Sequence, residues 1–341
     1  MNPNLLPLAV IGAMLLAWLL TPSVRRVAFR FGAIDRPNKP RKTHKTPTAL
    51  WGGLATGLVT LLSIVFVSLV ADGGDVGALQ LAGFALGIVV LMIGGLLDDR
   101  YDLPPWAQFL FPLTAAILVI ATGSGIERIT NPSGGAPIEL GVFSIPLGIA
   151  WLLTVTYAMK LLDGLDGLVA GLTVVGAVLI ALLAGSHAYF QPMIAILALM
   201  IAGAHLGFLP HNREGRIFLG EAGSTIAGFS LGVLAILSGA KVATAATALA
   251  IPLIDIALVI MRRLAAGRSP FKGDTEHLHF QLLKLGFKPR AVARLIWGTS
   301  AVFGLLALSL QTNGKIFLFI FLAVTISILS YIAWVKTRQP L

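Results

Sequence analysis

The sequence has no cysteine, which removes disulfides, thiolate metal sites and a cysteine nucleophile together. Charge is scarce as well. Asp, Glu, Lys and Arg make up 12% of the 341 residues, whereas an ordinary soluble domain carries about a quarter. Acids are the scarcer sign, 15 against 25 Lys and Arg. The chain shows no low-complexity tract, no domain-boundary linker and no internal repeat. A secondary transporter would need a repeat of opposite topology and charge at the membrane midplane, and neither is visible. What is abundant is apolar, with 57% hydrophobic residues and a mean hydropathy of +0.89.

That composition implies an all-α integral membrane protein of a single polytopic domain over residues 1–341. Eleven runs are long enough to cross about 30 Å of hydrocarbon. They are Leu5–Leu20, Trp51–Val70, Leu79–Leu97, Trp106–Thr122, Phe143–Met159 and Leu168–Ala184. Met193–Leu209, Thr225–Ala240, Ala243–Met261, Val292–Leu310 and Ile316–Trp334 complete the set. The first run has no basic leader or evident cleavage site, so it is expected to remain in place. Between Gly123 and Val142 the turn-rich Asn131-Pro132-Ser133-Gly134-Gly135 predicts a small external hairpin.

Lys and Arg sort by side. The loop after the first span holds Arg25, Arg26, Arg30, Arg36, Lys39, Arg41, Lys42 and Lys45. The loop after the ninth holds Arg262, Arg263, Arg268, Lys272, Lys284, Lys288 and Arg290. The other side has only Arg128, Lys241 and Lys315. The positive-inside rule then puts the N-terminus outside and the C-terminus in the cytoplasm of a cell inner (plasma) membrane protein. The sequence pI near 10.2 reflects these loops and not a nucleic-acid surface. The loops expected to carry chemistry are 21–50, 98–105, 160–167, 210–224 and 262–291.

Three acidic clusters fall on that same side: Asp98, Asp99 and Asp102; Asp163 and Asp166; and Glu221. Acids this close repel unless a cation or proton intervenes, so Asp98 and Asp99 are candidates for Mg²⁺ ligation or proton uptake. A solvated helix end is the competing reading. Asp163 and Asp166, three apart, would share a face if the segment is helical, with Gly164 and Gly167 letting a phosphate or a helix come close. Helix packing through the glycines is the alternative. Glu221 in Gly220-Glu221-Ala222-Gly223-Ser224 precedes a helix whose free N–H groups suit an anion, while Ser224 could be a simple N-cap. His277 and His279, beside Asp274 and Glu276 in a basic loop, suit nucleotide phosphates, or the loop contacts anionic lipid. Asp255, inside the ninth span, must face the bundle interior, with a buried polar network as its plain role.

In order along the chain these segments resemble the polyprenyl-phosphate N-acetylhexosamine-1-phosphate transferases. The resemblance rests on Arg41-Lys42-Thr43-His44 with Gly52-Gly53, GGLLDD at Gly94–Asp99 and LLDGLDGLVAG at Leu161–Gly171. GFLPHN at Gly207–Asn212, FLGEAGS at Phe218–Ser224, PLID at Pro252–Asp255 and EHLHF at Glu276–Phe280 extend it over nearly the whole chain. It implies transfer of a sugar 1-phosphate from a UDP-sugar to polyprenyl phosphate in the bilayer, with Mg²⁺ (Mn²⁺ as a substitute) and release of UMP. The first loop is more similar to the UDP-GlcNAc-using branch.

By the same resemblance Asp98, Asp99, Asp163 and Asp166 are catalytic, and Glu221 with Asp99 holds the metal. Lys42, His44, Lys160, Asn212, His277 and His279 would bind substrate. A homodimer is compatible with the sequence, and no nucleic-acid partner is expected. The chain departs from the family pattern at Lys160 (Asn), Glu221 (Asp) and Phe280 (His), and Pro47-Thr48-Ala49-Leu50 lacks an arginine. A catalytically impaired relative that binds lipid phosphate or nucleotide is therefore the alternative.

Overall fold

The computed structural model describes residues 5–37, 46–70, 75–187, 189–213, 215–239, 242–268 and 276–338. Over these residues the chain forms helices α1 (Leu5–Phe31), α2 (Gly52–Val70), α3 (Ala78–Tyr101), α4 (Pro105–Ala121), α5 (Ser144–Leu162) and α6 (Leu168–Ala184). They continue with α7 (Pro192–Phe208), α8 (Gly220–Leu237), α9 (Val242–Ala248), α10 (Ala250–Ala265), α11 (Leu278–Lys284), α12 (Pro289–Ser309) and α13 (Thr312–Arg338). Seven of them are long and apolar enough to cross a membrane, or eight counting α9 and α10 as one bent span. Helices α4, α6 and α7 have 17 residues each, about 26 Å of rise. Many large apolar side chains face outward, among them Leu69, Phe317 and Tyr331, as a lipid-facing surface requires.

Ten of the eleven expected spans each coincide with one helix. The ninth does not: Ala243–Met261 is split into α9 and α10, bent by 79°. Pro252 is the cause, because it has no N–H for the Ala248 carbonyl and its ring collides with that group, so the helix must break at Ala248. The hairpin is present as β3 (Arg128–Ile129) paired with β4 (Ile138–Glu139), with Arg128 opposite Glu139. A second antiparallel pair, β1 (Ile34–Asp35) with β2 (Thr48–Ala49), was not legible in so short a stretch.

Helix α8 is the centre of the bundle. All of its 18 residues are buried except Glu221. Helices α2, α3 and α5 pack on it through glycines. A Cβ on Gly53 would strike the Gly223 backbone, one on Gly95 would strike Ala222, and one on Gly228 would come within 2.6 Å of the Val155 carbonyl. Small residues allow this backbone approach where lipid offers no hydrophobic drive between helices. Buried hydroxyls bond within their own helices: Thr60 to the Thr56 carbonyl, Thr156 to Leu152 and Thr225 to Glu221.

The segment after β2 fixes the start of α8. Phe218 N–H donates to the Ala49 carbonyl at 2.8 Å, Gly52 N–H to Phe218 at 3.0 Å, and Gly53 N–H to Leu219 at 2.7 Å. Gly220 then takes φ +75°, with no room for a Cβ beside the Leu50 carbonyl and Asp99. Gly95→Ala should lower unfolding stability in detergent by about 1–3 kcal/mol through overpacking. Gly12→Ala, with nothing within 4 Å of the new methyl, should leave it unchanged; equal effects on the thermal unfolding midpoint would contradict this packing.

Candidate active site

The last turn of α3, the 163–167 loop and the first turn of α8 meet, so the three acidic clusters share one locality. Asp99 Oδ1 accepts the Glu221 N–H at 2.9 Å. A carboxylate thus sits at the N-terminus of α8, where free N–H groups and the helix dipole favour negative charge. That position belongs to Asp99 and not to Ser224, which lies inside α8 with its hydroxyl donating to the Gly220 carbonyl at 2.9 Å. Asp99 Oδ2 is buried and has no hydrogen-bond partner among the described residues.

Asp98 turns the other way. Its Oδ1 accepts the Leu103 N–H at 2.9 Å and caps the reversal after α3, where Asp102 adopts φ +53°. Asp102 itself is exposed. A small cleft of about 10 Å³ lies between α3, α4 and α8, lined by Asp98, Gln108, Phe111 and Glu221 among others. It has room for no more than about one water. A larger cavity of about 440 Å³, lined by Arg25, Arg26, His211 and Arg216, contains none of these acids.

Lys160, in the last turn of α5, reaches into the acids. Its Nζ lies 2.6 Å from Glu221 Oε1 and donates to Gln108 Oε1 at 2.9 Å. Gln108 was not singled out in the sequence, since a lone amide on α4 carries no pattern.

Asp163 and Asp166 do not share a helical face. Helix α5 ends at Leu162 and α6 begins at Leu168, with Gly167 at φ +76° between them. Asp166 Oδ2 accepts the Gly215 N–H at 3.2 Å, and the nearby Glu221 charge acts on Asp163. Desolvation, with the Glu221 and Asp166 carboxylates close by, pushes the Asp163 carboxyl up to about 8. Asn212 is occupied by the backbone: its Oδ1 accepts the Gly167 N–H at 2.7 Å and its Nδ2 donates to the Ile217 carbonyl at 2.9 Å. It therefore ties the 163–167 loop to the segment leading into α8.

The two histidines differ. His277 Nδ1 lies 2.8 Å from Asp255 Oδ2, and Asp255 Oδ1 accepts the Leu278 N–H at 2.8 Å. Asp255 thus orients His277 and starts α11, a positioning role that a buried acid in an apolar run did not by itself disclose. His279 is fully buried, stacks on His277 and has no hydrogen bond at either ring nitrogen among the described residues. Its Nε2 lies so close over Gly164 that a Cβ there would sit 2.6 Å away. Burial lowers its ring to about 4, so it meets any ligand as a neutral imidazole at pH 7. Lys42 and His44 lie outside the described residues.

The donor set suits a hard cation, being carboxylate oxygens with a buried, unpartnered Asp99 Oδ2 among them. Among the described residues no three of His, Asp and Glu converge as a ligand cage. Mg²⁺ does not need one, because it is typically bound through one or two carboxylates and completes its shell with water and substrate phosphate.

A family model described as glycosyl transferase family 4 matches residues 81–239. The chain is 31% identical over 314 residues to the "Probable undecaprenyl-phosphate N-acetylglucosaminyl 1-phosphate transferase" of Bacillus subtilis (strain 168), covering 89% of this chain and 84% of the relative. The chain belongs to the polyprenyl-phosphate N-acetylhexosamine-1-phosphate transferase family. Other members are similar over most of their length. One is the "Decaprenyl-phosphate N-acetylglucosaminephosphotransferase" of Mycobacterium tuberculosis (strain ATCC 25618 / H37Rv), 34% identical over 325 residues, 85% of this chain and 79% of the relative. Another is the "Undecaprenyl-phosphate alpha-N-acetylglucosaminyl 1-phosphate transferase" of Escherichia coli (strain K12), 29% identical over 286 residues, 80% and 75%. All the acids of the site except Asp255 lie inside the matched segment.

The raised Asp163 value has a consequence for stability. The proton it keeps favours the folded state fully below 3.8, and that contribution is lost as pH rises from about 4 to about 8. The difference in unfolding midpoint between the native protein and Asp163→Asn should therefore fall across that window. Parallel curves would show that Asp163 titrates as an ordinary carboxyl.

Proposed function

We propose that this protein transfers N-acetylglucosamine 1-phosphate from UDP-N-acetylglucosamine to a polyprenyl phosphate in the bilayer, with Mg²⁺, releasing UMP and starting an envelope glycan. The observation that carries the reading is the Asp99–Glu221 junction with Asp163 close to it, which together gather acids from three separated segments in a chain whose relatives are named for this transfer. All eleven runs cross the membrane, with the N-terminus outside and the acids at the cytoplasmic face. The basic loops on that side attract both the nucleotide and anionic lipid. The alternative of an impaired relative draws no support from the named relatives.

The chemistry is a displacement at phosphorus. An oxygen of the acceptor phosphate forms a bond to the sugar-bearing phosphorus, and the bond to the bridging oxygen breaks, so UMP leaves with that oxygen. Asp98, at the lip of the cleft beside Gln108, takes the proton of the acceptor monoester. Asp163, close to Glu221, supports the nucleotide and metal region. His279 lies against Gly164 and lines the same loop, while Asp255 holds His277 in place. Mg²⁺, held by Asp99 and Glu221, would supply charge neutralisation on the donor diphosphate.

Asp99→Asn and Asp163→Asn should each slow UMP release from UDP-N-acetylglucosamine by about 10²-fold or more while the protein stays folded. EDTA should abolish release in the native protein. Unchanged turnover in both variants would remove the acids from the reaction.

A further inference from the structure

Lysine at a helix end ordinarily lets its ammonium reach toward water. Lys160 does the opposite. Its side chain and that of Glu221 are each 15% exposed, and one nitrogen joins α5, α8 and α4 through Glu221 and Gln108. The Tyr157 ring lies 5.4 Å from the same ammonium. An ammonium this enclosed has exchanged hydration for fixed partners, and Glu221 is the charged one.

The acids around it outnumber it. Asp98 and Asp99 stand close to the pair, and Asp99 Oδ2 has no hydrogen-bond partner among the described residues. The cluster therefore retains negative charge for a second, mobile cation, whose natural ligands are Asp99 and Glu221. Glu221 cannot serve both cations with the oxygen that Lys160 holds.

We propose that Lys160 is a resident counter-ion that competes with a divalent cation for Glu221. In the free protein the ammonium holds the carboxylate. A divalent ion that takes Glu221 releases the ammonium, which is then available to an anionic oxygen such as a donor phosphate. Lys160 is in this sense a positioning residue, and metal uptake and phosphate binding are coupled through it. The identity of that phosphate rests on the transferase reading; the competition for Glu221 does not.

The test is a Mn²⁺ titration of the purified protein in detergent, without donor or lipid, reading free Mn²⁺ by electron paramagnetic resonance. Lys160→Gln should bind Mn²⁺ about tenfold more tightly than the native protein, and Lys160→Arg should stay within about twofold of it. Adding Glu221→Gln to Lys160→Gln should remove the gain. Lys160→Met, which fills the same space without charge, should show the same gain and decides the matter if Lys160→Gln fails to fold. An unchanged or weaker affinity in these Lys160 variants, or a gain that survives in the double variant, would each overturn the proposal. Failure of the transferase reading would instead show as absent sugar-phosphate transfer with the Mn²⁺ pattern intact.

Discussion

Asp99 accepts the N–H of Glu221, and through that bond the last turn of α3 is joined to the first turn of α8. Much of the site follows from it. A carboxylate at membrane level needs a partner, and the positive end of a helix is the partner this fold supplies. Satisfying Asp99 Oδ1 there leaves Oδ2 sealed in, with no partner among the described residues, and turns the Glu221 side chain, the one incompletely buried group of α8, toward α5. Lys160 meets it at that point. The glycine contacts at Gly53 and Gly95 allow α2 and α3 to approach closely enough for the bond to form.

The helical framework was legible because apolar runs are long and polar punctuation is sparse. What remained hidden was set by contacts distant in sequence or by a single residue's stereochemistry. Pro252 sits inside a convincing apolar run, and only its effect on the carbonyl four residues earlier reveals the bend. The acids of the site were visible as clusters, but their directions were not. A three-residue spacing suggests one face for Asp163 and Asp166, whereas α5 ends at Leu162, Asp163 leaves the helical conformation, and Asp166 accepts the Gly215 N–H. Asp255 read as an internal polar residue because nothing local links it to His277, 22 positions later. Asn212 was legible as the last residue of the Gly207–Asn212 motif and as a substrate-binding candidate, but its binding to two backbone groups depends on the meeting of two loops.

The departures at Lys160 and Glu221 acquire a joint physical meaning in the structure. A longer acid and a new cation face each other at 2.6 Å, so each change supplies the partner that the other requires. Taken singly, a lysine beside a metal site would oppose the metal. Taken together, the two form an ion pair that leaves the locality one unit more positive than the Asn and Asp of the family pattern. The two changes thus form one modification within a family whose named members are polyprenyl-phosphate transferases.

The proposed reaction passes sugar phosphate intact to a lipid. The most direct measurement follows UDP-N-acetylglucosamine carrying radioactive phosphorus in the phosphate attached to the sugar, incubated with the protein, Mg²⁺ and polyprenyl phosphate. Label should appear in an organic-extractable product, formed in step with UMP and absent when the lipid phosphate is omitted. Label that remains in water as sugar phosphate, or that is released without lipid, would show hydrolysis and contradict that reaction.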